Sequence, residues 1–186
     1  MAKSKEEKRQ DLLEKSTPFL AQKHGASLSE IADEIGVGRA TLQRYFPKRE
    51  DLLRAIAVDS VRKMDEASAP LYEIEQPAAD GLLAMFELLI PLGDSYHFLA
   101  TYPDLMRFDE VAEAYNRQLE DTLEYVQYLK REKVIAIDIP DAWAVMMIDL
   151  LIWGAWKGIQ DGSIARNDAA RLAYRSLIQG LTANAI

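Results

Sequence analysis

The sequence predicts an all-α protein with two modules, an N-terminal helical head and a larger C-terminal helical body. Apolar residues recur at the spacing of a helical face through most of the 186 residues. Proline and glycine interrupt this spacing where helices would end, and the β-branched run at 134–139 has no second strand to pair with. Charge also divides the chain, because residues 1–64 hold 13 Lys and Arg against 10 Asp and Glu, whereas residues 65–186 hold 9 against 20.

The head is predicted to contain three helices, followed by a longer connecting helix. An apolar stripe over residues 6–24 predicts the first helix, which ends before Gly25 and which Pro18 should kink because proline removes one backbone hydrogen bond. Two short helices then flank a turn with glycine at both ends, and Pro47 ends the second of them. The predicted ranges are Ser29–Ile35, the turn Gly36–Gly38, Arg39–Phe46 and Lys48–Ala67.

The body begins at a break in the helical periodicity over residues 68–76, where the charge also changes. The helices predicted beyond it are 77–90, 95–102, 109–130, 140–160 and 167–181, with 134–139 as a connector. The predicted domains are therefore the head at 1–46, the connecting helix at 47–67 and the body at 68–186.

The composition argues against several classes of protein. Without cysteine there is no disulfide, thiol nucleophile or cysteine-ligated metal, and His24 and His97 are expected in different modules. No phosphate-binding glycine loop or catalytic constellation is recognisable, so we predict no enzyme, no cofactor and no metal. The N-terminus lacks the apolar core of a signal peptide, and the apolar stretch Ala142–Trp156 is too short for a membrane span and contains Asp149. The prediction is a soluble, cytoplasmic protein.

Residues 28–53 carry the most specific pattern in the chain. Ile31, Ala32 and Ile35 form one short apolar face, and a second face follows the turn. That second face consists of Ala40, Leu42 and Phe46. The glycines of the turn allow two helices to cross steeply at close range, which is the arrangement of a helix-turn-helix.

The outward face of the second short helix carries side chains that can contact DNA in the major groove. Gln43 can pair with adenine, Arg39 or Arg44 with guanine, and Thr41 can contact a thymine methyl group or a phosphate. The residues predicted to hold phosphates are Tyr45, Lys48, Arg49, Ser27 and Ser29. The alternative is an ordinary solvated helix pair in which Ser29 is only a helix cap.

The segment IADEIGVGRATLQRYFPKREDLL resembles the helix-turn-helix of the tetracycline-repressor-like (TetR) family of transcriptional regulators. The close match covers about a quarter of the chain. It holds at Ile31, Ala32, Gly36, Val37, Thr41, Leu42, Tyr45, Phe46, Glu50 and Leu53. Gly38 stands where the family usually has a capping serine, Gln43 replaces a common tyrosine and Arg49 a lysine.

The C-terminal segment from Trp153 to Leu181 resembles the last two helices of that family, which form a four-helix dimer interface. This resemblance, together with the close helix approach that Gly154-x-x-x-Gly158 permits, predicts a homodimer. The candidate interface residues are Gly154, Trp156, Gly158, Leu172, Tyr174 and Leu177. The alternative is packing of these residues within one chain.

Two groups of aromatic and methionine residues are candidates for a ligand pocket. The candidates are Tyr96, Phe98, Tyr102, Met106 and Phe108, followed by Trp143, Met146, Met147, Asp149 and Trp153. Asp149 lies in an apolar helix and can face a cationic or hydrogen-bonding ligand. The alternative is that these residues form core.

The residues and the resemblance together predict a ligand-responsive transcriptional regulator. We expect a repressor that binds a palindromic operator in double-stranded DNA as a homodimer, with one recognition helix per half-site. A small apolar or cationic effector is expected to release it. The alternative is a helical small-molecule-binding or interaction protein without operator recognition, which the departures at Gly38 and Gln43 keep open.

Overall fold

The structure, a computed structural model, describes residues 4–72 and 76–181 of the chain. All regular elements in these ranges are helical, so the prediction of an all-α protein is confirmed. The α-helices are α1 (Lys5–Gln22), α2 (Leu28–Glu34), α3 (Arg39–Tyr45), α4 (Arg49–Ser68), α5 (Ala78–Leu89), α6 (Gly93–Thr101), α7 (Asp109–Arg131), α8 (Asp141–Gln160) and α9 (Arg166–Leu181). Single 3₁₀ turns lie at Ala69–Tyr72, Ile90–Leu92 and Pro103–Arg107.

The first two helices begin at capping boxes that their sequences specify. Ser4 caps α1 and Ser27 caps α2, and in each box a glutamate three residues later accepts from the backbone N–H of the serine. Gly38 begins α3 without a side-chain hydrogen bond, as its departure from the family pattern predicts. Helix α1 continues through Pro18, which is exposed, to Gln22. The run 134–139 forms turns and no strand, so it is a connector.

The described residues divide into two compact units. The first contains the chain up to Arg62 together with Asp94–Ala114, and the second contains Lys63–Gly93 and the chain from Tyr115 onward. This division follows contacts and differs from the domains 1–46, 47–67 and 68–186, because residues 94–114 pack with the head. The division by role remains a prediction.

The core of the first unit joins the helix-turn-helix to α1, α4 and α6. Its fully buried side chains come from all five helices, and the largest are Leu13, Leu20, Ile31, Leu42, Phe46, Leu52, Ile56 and Phe98. Ala40, predicted to face this core, is exposed on α3, so that part of the prediction is wrong. Leu42 and Phe46 alone anchor the second apolar face.

The second unit is built on α8, which packs against α9, while α5 packs against α9 as well. Two glycines permit close approaches. A Cβ on Gly93 would lie 2.1 Å from Cγ of Trp156, and a Cβ on Gly158 would lie 2.5 Å from Cδ1 of Ile164. The core of this unit therefore depends on both positions remaining glycine.

Two helical stretches are long and apolar enough to cross a membrane by length and composition, Ala78–Thr101 and Asp141–Gln160. Helix α8 is 20 residues long, so its length does not argue against a membrane span as the sequence analysis expected. Half of the 18-residue apolar window in the first stretch and a third of that in the second are buried within the protein.

Candidate functional site

Helix α3 presents a polar face beside the turn that joins it to α2. Gly36 has a φ of 71°, a left-handed conformation that favours glycine, and the N–H of Val37 donates to the carbonyl of Ala32 across the turn. Leu42 is the buried residue of α3, which leaves the rest of the helix to face outward. Its exposed side chains include Arg39, Thr41, Gln43 and Arg44.

Two predicted phosphate contacts also lie near this face. Tyr45 is half-buried, and its ring centroid lies 5.3 Å from the guanidinium carbon of Arg44. Lys48 is exposed directly before α4. The helix therefore offers cations and hydrogen-bonding groups over one continuous surface, which is the chemistry that DNA recognition needs.

The N-terminus of α2 is more crowded than the sequence suggests. Ser27 rather than Ser29 is the cap, and its Oγ accepts from the N–H of Glu30 at 3.3 Å. Glu30 accepts in turn from Lys23 Nζ at 2.7 Å, and hydrogen bonds from Lys23 and Ser27 lower the pKa of the Glu30 carboxyl to about 2. A carboxylate thus lies where Ser27 and Ser29 are predicted to hold phosphate, and Lys23 balances its charge. Those two contacts remain predictions.

Arg49 has a different environment from the solvent-facing anchor that the sequence suggests. Its Nε donates to the carbonyl of Ala26 at 2.7 Å, and its Nη2 donates to the carbonyl of His24 and to the hydroxyl of Tyr102. The Tyr102 hydroxyl also donates to the His24 carbonyl, at 2.6 Å. The guanidinium therefore joins the α1–α2 connection to α4 and α6, and we assign it a structural role within the first unit.

Replacing Arg49 by alanine is expected to destabilise the first unit by about 1–3 kcal/mol, because it leaves the part-buried carbonyl of Ala26 without its charged donor. Urea unfolding followed by circular dichroism measures this cost. Lys48→Ala is the matched control, since Lys48 is the adjacent exposed cation. Equal urea midpoints for both variants and the parent would contradict a structural role and favour Arg49 as a phosphate contact.

The first group of ligand candidates lies within the first unit, where several members already have partners. Phe98 is fully buried. The Phe108 ring lies 4.3 Å from the guanidinium carbon of Arg54 and 4.9 Å from that of Arg107. Arg54 pairs with Glu110, and Arg107 pairs with Glu50. With Tyr102 bonded to His24, these aromatic residues join the α6–α7 segment to α4; Tyr96 and Met106 are half-buried.

The two histidines were expected in different modules, but the structure contradicts this. The ring centroids of His24 and His97 lie 5.7 Å apart within the first unit, because α6 packs with the head. Among the residues that the structure describes, no three His, Asp or Glu side chains are placed to hold a metal ion.

The second group of ligand candidates lies on α8, in the second unit. Trp143, Met146 and Trp153 are 48%, 44% and 38% exposed. Leu150, which the sequence analysis did not single out, is 51% exposed and lies on the same helical face. Met147 and Asp149 are half-buried. The sequence could have predicted this exposed stripe, because positions 143, 146, 150 and 153 follow one another at intervals of 3, 4 and 3 residues, the spacing of one helical face.

The candidate dimer residues divide into buried and partly exposed ones. Trp156, Gly158 and Leu177 are buried within the second unit, where Trp156 covers Gly93 and Ile164 covers Gly158. Their burial agrees with the alternative of packing within one chain, and their part in a dimer interface remains a prediction. Leu172 is 36% exposed, whereas Gly154 and Tyr174 are half-buried.

Asp149 is a carboxyl group within an apolar helix. Burial raises its pKa from an ordinary value of 3.8 to about 6. Its charge also helps to raise the pKa of Tyr115 on α7, after the larger effect of the burial of that tyrosine. The ligand-binding role of Asp149 remains a prediction.

Asp149→Asn is expected to stabilise the protein near pH 7.5 by about 2–3 kcal/mol and to have little effect near pH 4. The folded carboxyl holds its proton more tightly than the unfolded one. Its contribution to stability is therefore full below pH 4 and is lost as the pH rises to about 6. Urea unfolding at both pH values measures this. The exposed Glu132→Gln is the control, and an equal effect of Asp149→Asn at both pH values would contradict the assignment.

Comparison with known proteins agrees with this geometry. Residues 23–56, which contain α2, the turn and α3, match the family described as bacterial regulatory proteins, tetR family. The chain is 28% identical over 182 residues to the HTH-type transcriptional repressor LfrR of Mycolicibacterium smegmatis, covering 96% of this chain and 92% of the relative.

Two solved structures are similar over nearly the whole chain. The TetR-like regulator LfrR from Mycobacterium smegmatis in complex with proflavine superposes with a TM-score of 0.78 at 26% identity, covering 93% of this chain and 95% of the other. The ketosteroid transcriptional regulator KstR2 of Mycobacterium tuberculosis gives 0.74 at 13% identity, covering 98% and 97%, and shares the fold.

Proposed function

We propose that the chain is a transcriptional regulator of the TetR family, a repressor that binds a palindromic operator as a homodimer and is released by a small effector. The family consists of regulators rather than enzymes, and we propose no catalytic activity for the chain. It would act in the cytoplasm, where the DNA is.

The observation that carries the proposal is the exposed face of α3. Arg39, Thr41, Gln43 and Arg44 all face outward, while Leu42 holds the helix to the core. An α-helix of this kind fits the major groove, and bidentate pairs of Arg with guanine and of Gln with adenine read base edges. Tyr45 and Lys48 would set the register on the phosphates.

The exposed apolar face of α8 supports a dimer. Trp143, Met146, Leu150 and Trp153 form one stripe, which Leu172 of α9 supplements. A contiguous apolar stripe of this length on a soluble protein marks an interaction surface. A second copy of the same chain can cover it by two-fold symmetry, which would match a palindromic operator. We therefore assign Trp143, Met146 and Trp153 to the subunit interface rather than to a ligand pocket.

A small effector is supported by the relative whose structure contains proflavine. An effector that binds one dimer geometry better than another shifts the spacing of the two recognition helices. A tenfold preference supplies about 1.4 kcal/mol, so strong release requires a large difference in affinity between the two geometries.

Selection of bound duplexes from a random DNA library, with purified full-length protein at moderate salt, tests the proposal. We expect enrichment of a palindrome, and proflavine is the first compound to test for release of the protein from it. The absence of enrichment with folded, dimeric protein would favour the second candidate, a ligand-binding protein without operator recognition. The missing side-chain cap at Gly38 is the observation that favours that candidate.

A further inference from the structure

A cavity of about 670 Å³ opens in the second unit between α5 and α7, and its described lining residues include none of the ligand candidates that the sequence suggested. Cavities of about 300–1,000 Å³ are the size that encloses most of a drug-sized molecule. The wall on α5 consists of small and apolar residues, Pro77, Ala78 and Gly81, and the facing wall belongs to the second half of α7. The volume, rather than any sequence motif, identifies this as a candidate site.

The α7 wall is aromatic. Tyr125 and Tyr128 are half-buried, lie one turn apart, and have ring centroids separated by 6.1 Å with 35° between the ring planes. Two tyrosine rings at this angle offer a surface on which a flat ring system can lie. Tyrosine faces also attract cations through the ring quadrupole.

Gly81 determines how much room this wall leaves. A Cβ at position 81 would lie 3.4 Å from the Tyr125 hydroxyl oxygen and 3.4 Å from Nε2 of Gln76, both of which line the cavity. Any side chain longer than a methyl group would extend into the space between the two helices. Glycine at this buried position therefore keeps the cavity open at the expense of helix propensity.

The charges around the cavity favour a cationic guest. Asp121 and Glu124 are exposed and lie one turn apart on α7, whereas Arg131 is the one cation among the lining residues that the structure describes. The lining residues Tyr128 and Arg131 also lie in the last turn of α7, whose partial charge is negative. Asp80 lies in the first turn of α5 and offsets the positive partial charge of that helix end. The acidic excess of residues 65–186 acts in the same direction over longer distances.

We propose that this cavity is the effector site and that it takes a flat, polycyclic organic cation. The rings lie against Tyr125 and Tyr128, and the positive charge faces Asp121 and Glu124. The inference rests on the proposed function, because it names the chemical class of the effector and its position. It is separate from the prediction for Asp149, which does not line this cavity.

Three compounds with one ring skeleton and different charge test the proposal by direct titration. Calorimetry with full-length, nucleic-acid-free protein would compare 9-aminoacridine, which is cationic, with acridone, which is neutral, and acridine-9-carboxylate, which is anionic. We expect the cation to bind at least tenfold more tightly than the neutral compound, and the anion to bind least. Equal affinities for all three, or tightest binding of the anion, would overturn the proposal.

Variants locate the binding. Gly81→Leu fills the cavity and Tyr128→Ala removes half of the aromatic wall, so each should weaken 9-aminoacridine binding tenfold or more. The second variant serves if the first fails to fold. Asp121→Asn/Glu124→Gln should reduce the preference for the cation over acridone, whereas Glu120→Gln/Glu132→Gln removes the same charge from exposed residues outside the lining and should leave it unchanged. Unchanged binding in Tyr128→Ala would place the ligand elsewhere.

The titration needs no DNA, so its failure is distinguishable from failure of the repressor function. Enrichment of a palindrome with no cavity-dependent binding of the cation would support the repressor function and contradict the proposed effector site. Cavity-dependent binding without any enriched duplex would keep the site as a ligand-binding site, but it would remove its role as an effector site.

Discussion

Arg39→Ala/Arg44→Ala is expected to lower operator affinity by about a hundredfold or more, because each charge-assisted contact to a base or phosphate contributes about 1–3 kcal/mol. Both side chains are exposed on α3, so neither substitution removes a core contact. Fluorescence anisotropy with a labelled duplex carrying the selected palindrome measures the loss. The free energy of unfolding should remain within about 0.5 kcal/mol of the parent value.

A matched variant separates the loss of specific contacts from the loss of positive charge. Lys133→Ala/Arg166→Ala removes the same charge from exposed positions of the second unit and should change affinity only slightly. Gln43→Ala should instead change which duplexes are selected, since an amide that pairs with adenine carries sequence information. If Arg39→Ala/Arg44→Ala binds the operator as tightly as the parent, α3 is not the recognition helix.

Leu150→Glu is expected to convert the dimer to a monomer. Leu150 is 51% exposed on α8, so the isolated chain tolerates the charge, whereas a two-fold interface would bury two unpaired carboxylates at once. Light scattering after size exclusion should give 21.0 kDa for the variant and twice that mass for the parent. Operator binding should fall with the loss of the dimer, because each monomer holds only one half-site.

Ile137→Glu is the matched control for the dimer interface. Ile137 is 79% exposed but lies in the connector before α8, outside the apolar stripe, so this variant should remain a dimer. A dimeric Leu150→Glu protein would show that the subunits associate through another surface.

The helix positions could be predicted from the sequence because their determinants are local. The helix predicted at Lys48–Ala67 is observed at Arg49–Ser68, and the one predicted at Asp109–Lys130 is observed at Asp109–Arg131. Proline, glycine and the apolar repeat act within a few residues, as they do at Pro47 between α3 and α4. The outward face of α3 followed from the same repeat once Leu42 was placed in the core.

The tertiary partners could not be predicted, since residues far apart in the sequence determine them. Arg49 meets Tyr102 across 53 positions, a contact for which the sequence carries no pattern. Helix α8 has apolar residues on both faces, so its periodicity could not separate the exposed Trp153 from the buried Trp156. The cavity beside Gly81 depends on the separation of α5 and α7, for which the sequence carries no pattern.

Protection of the selected duplex from chemical modification tests the central claim most directly. A dimer with one α3 helix per half-site should protect two major-groove segments on one face of the duplex, separated by whole helical turns of about 10 base pairs. The same protein with Leu150→Glu should lose both protected segments together. A single protected segment that persists in that variant, or uniform protection along any duplex, would contradict the dimeric, sequence-specific repressor.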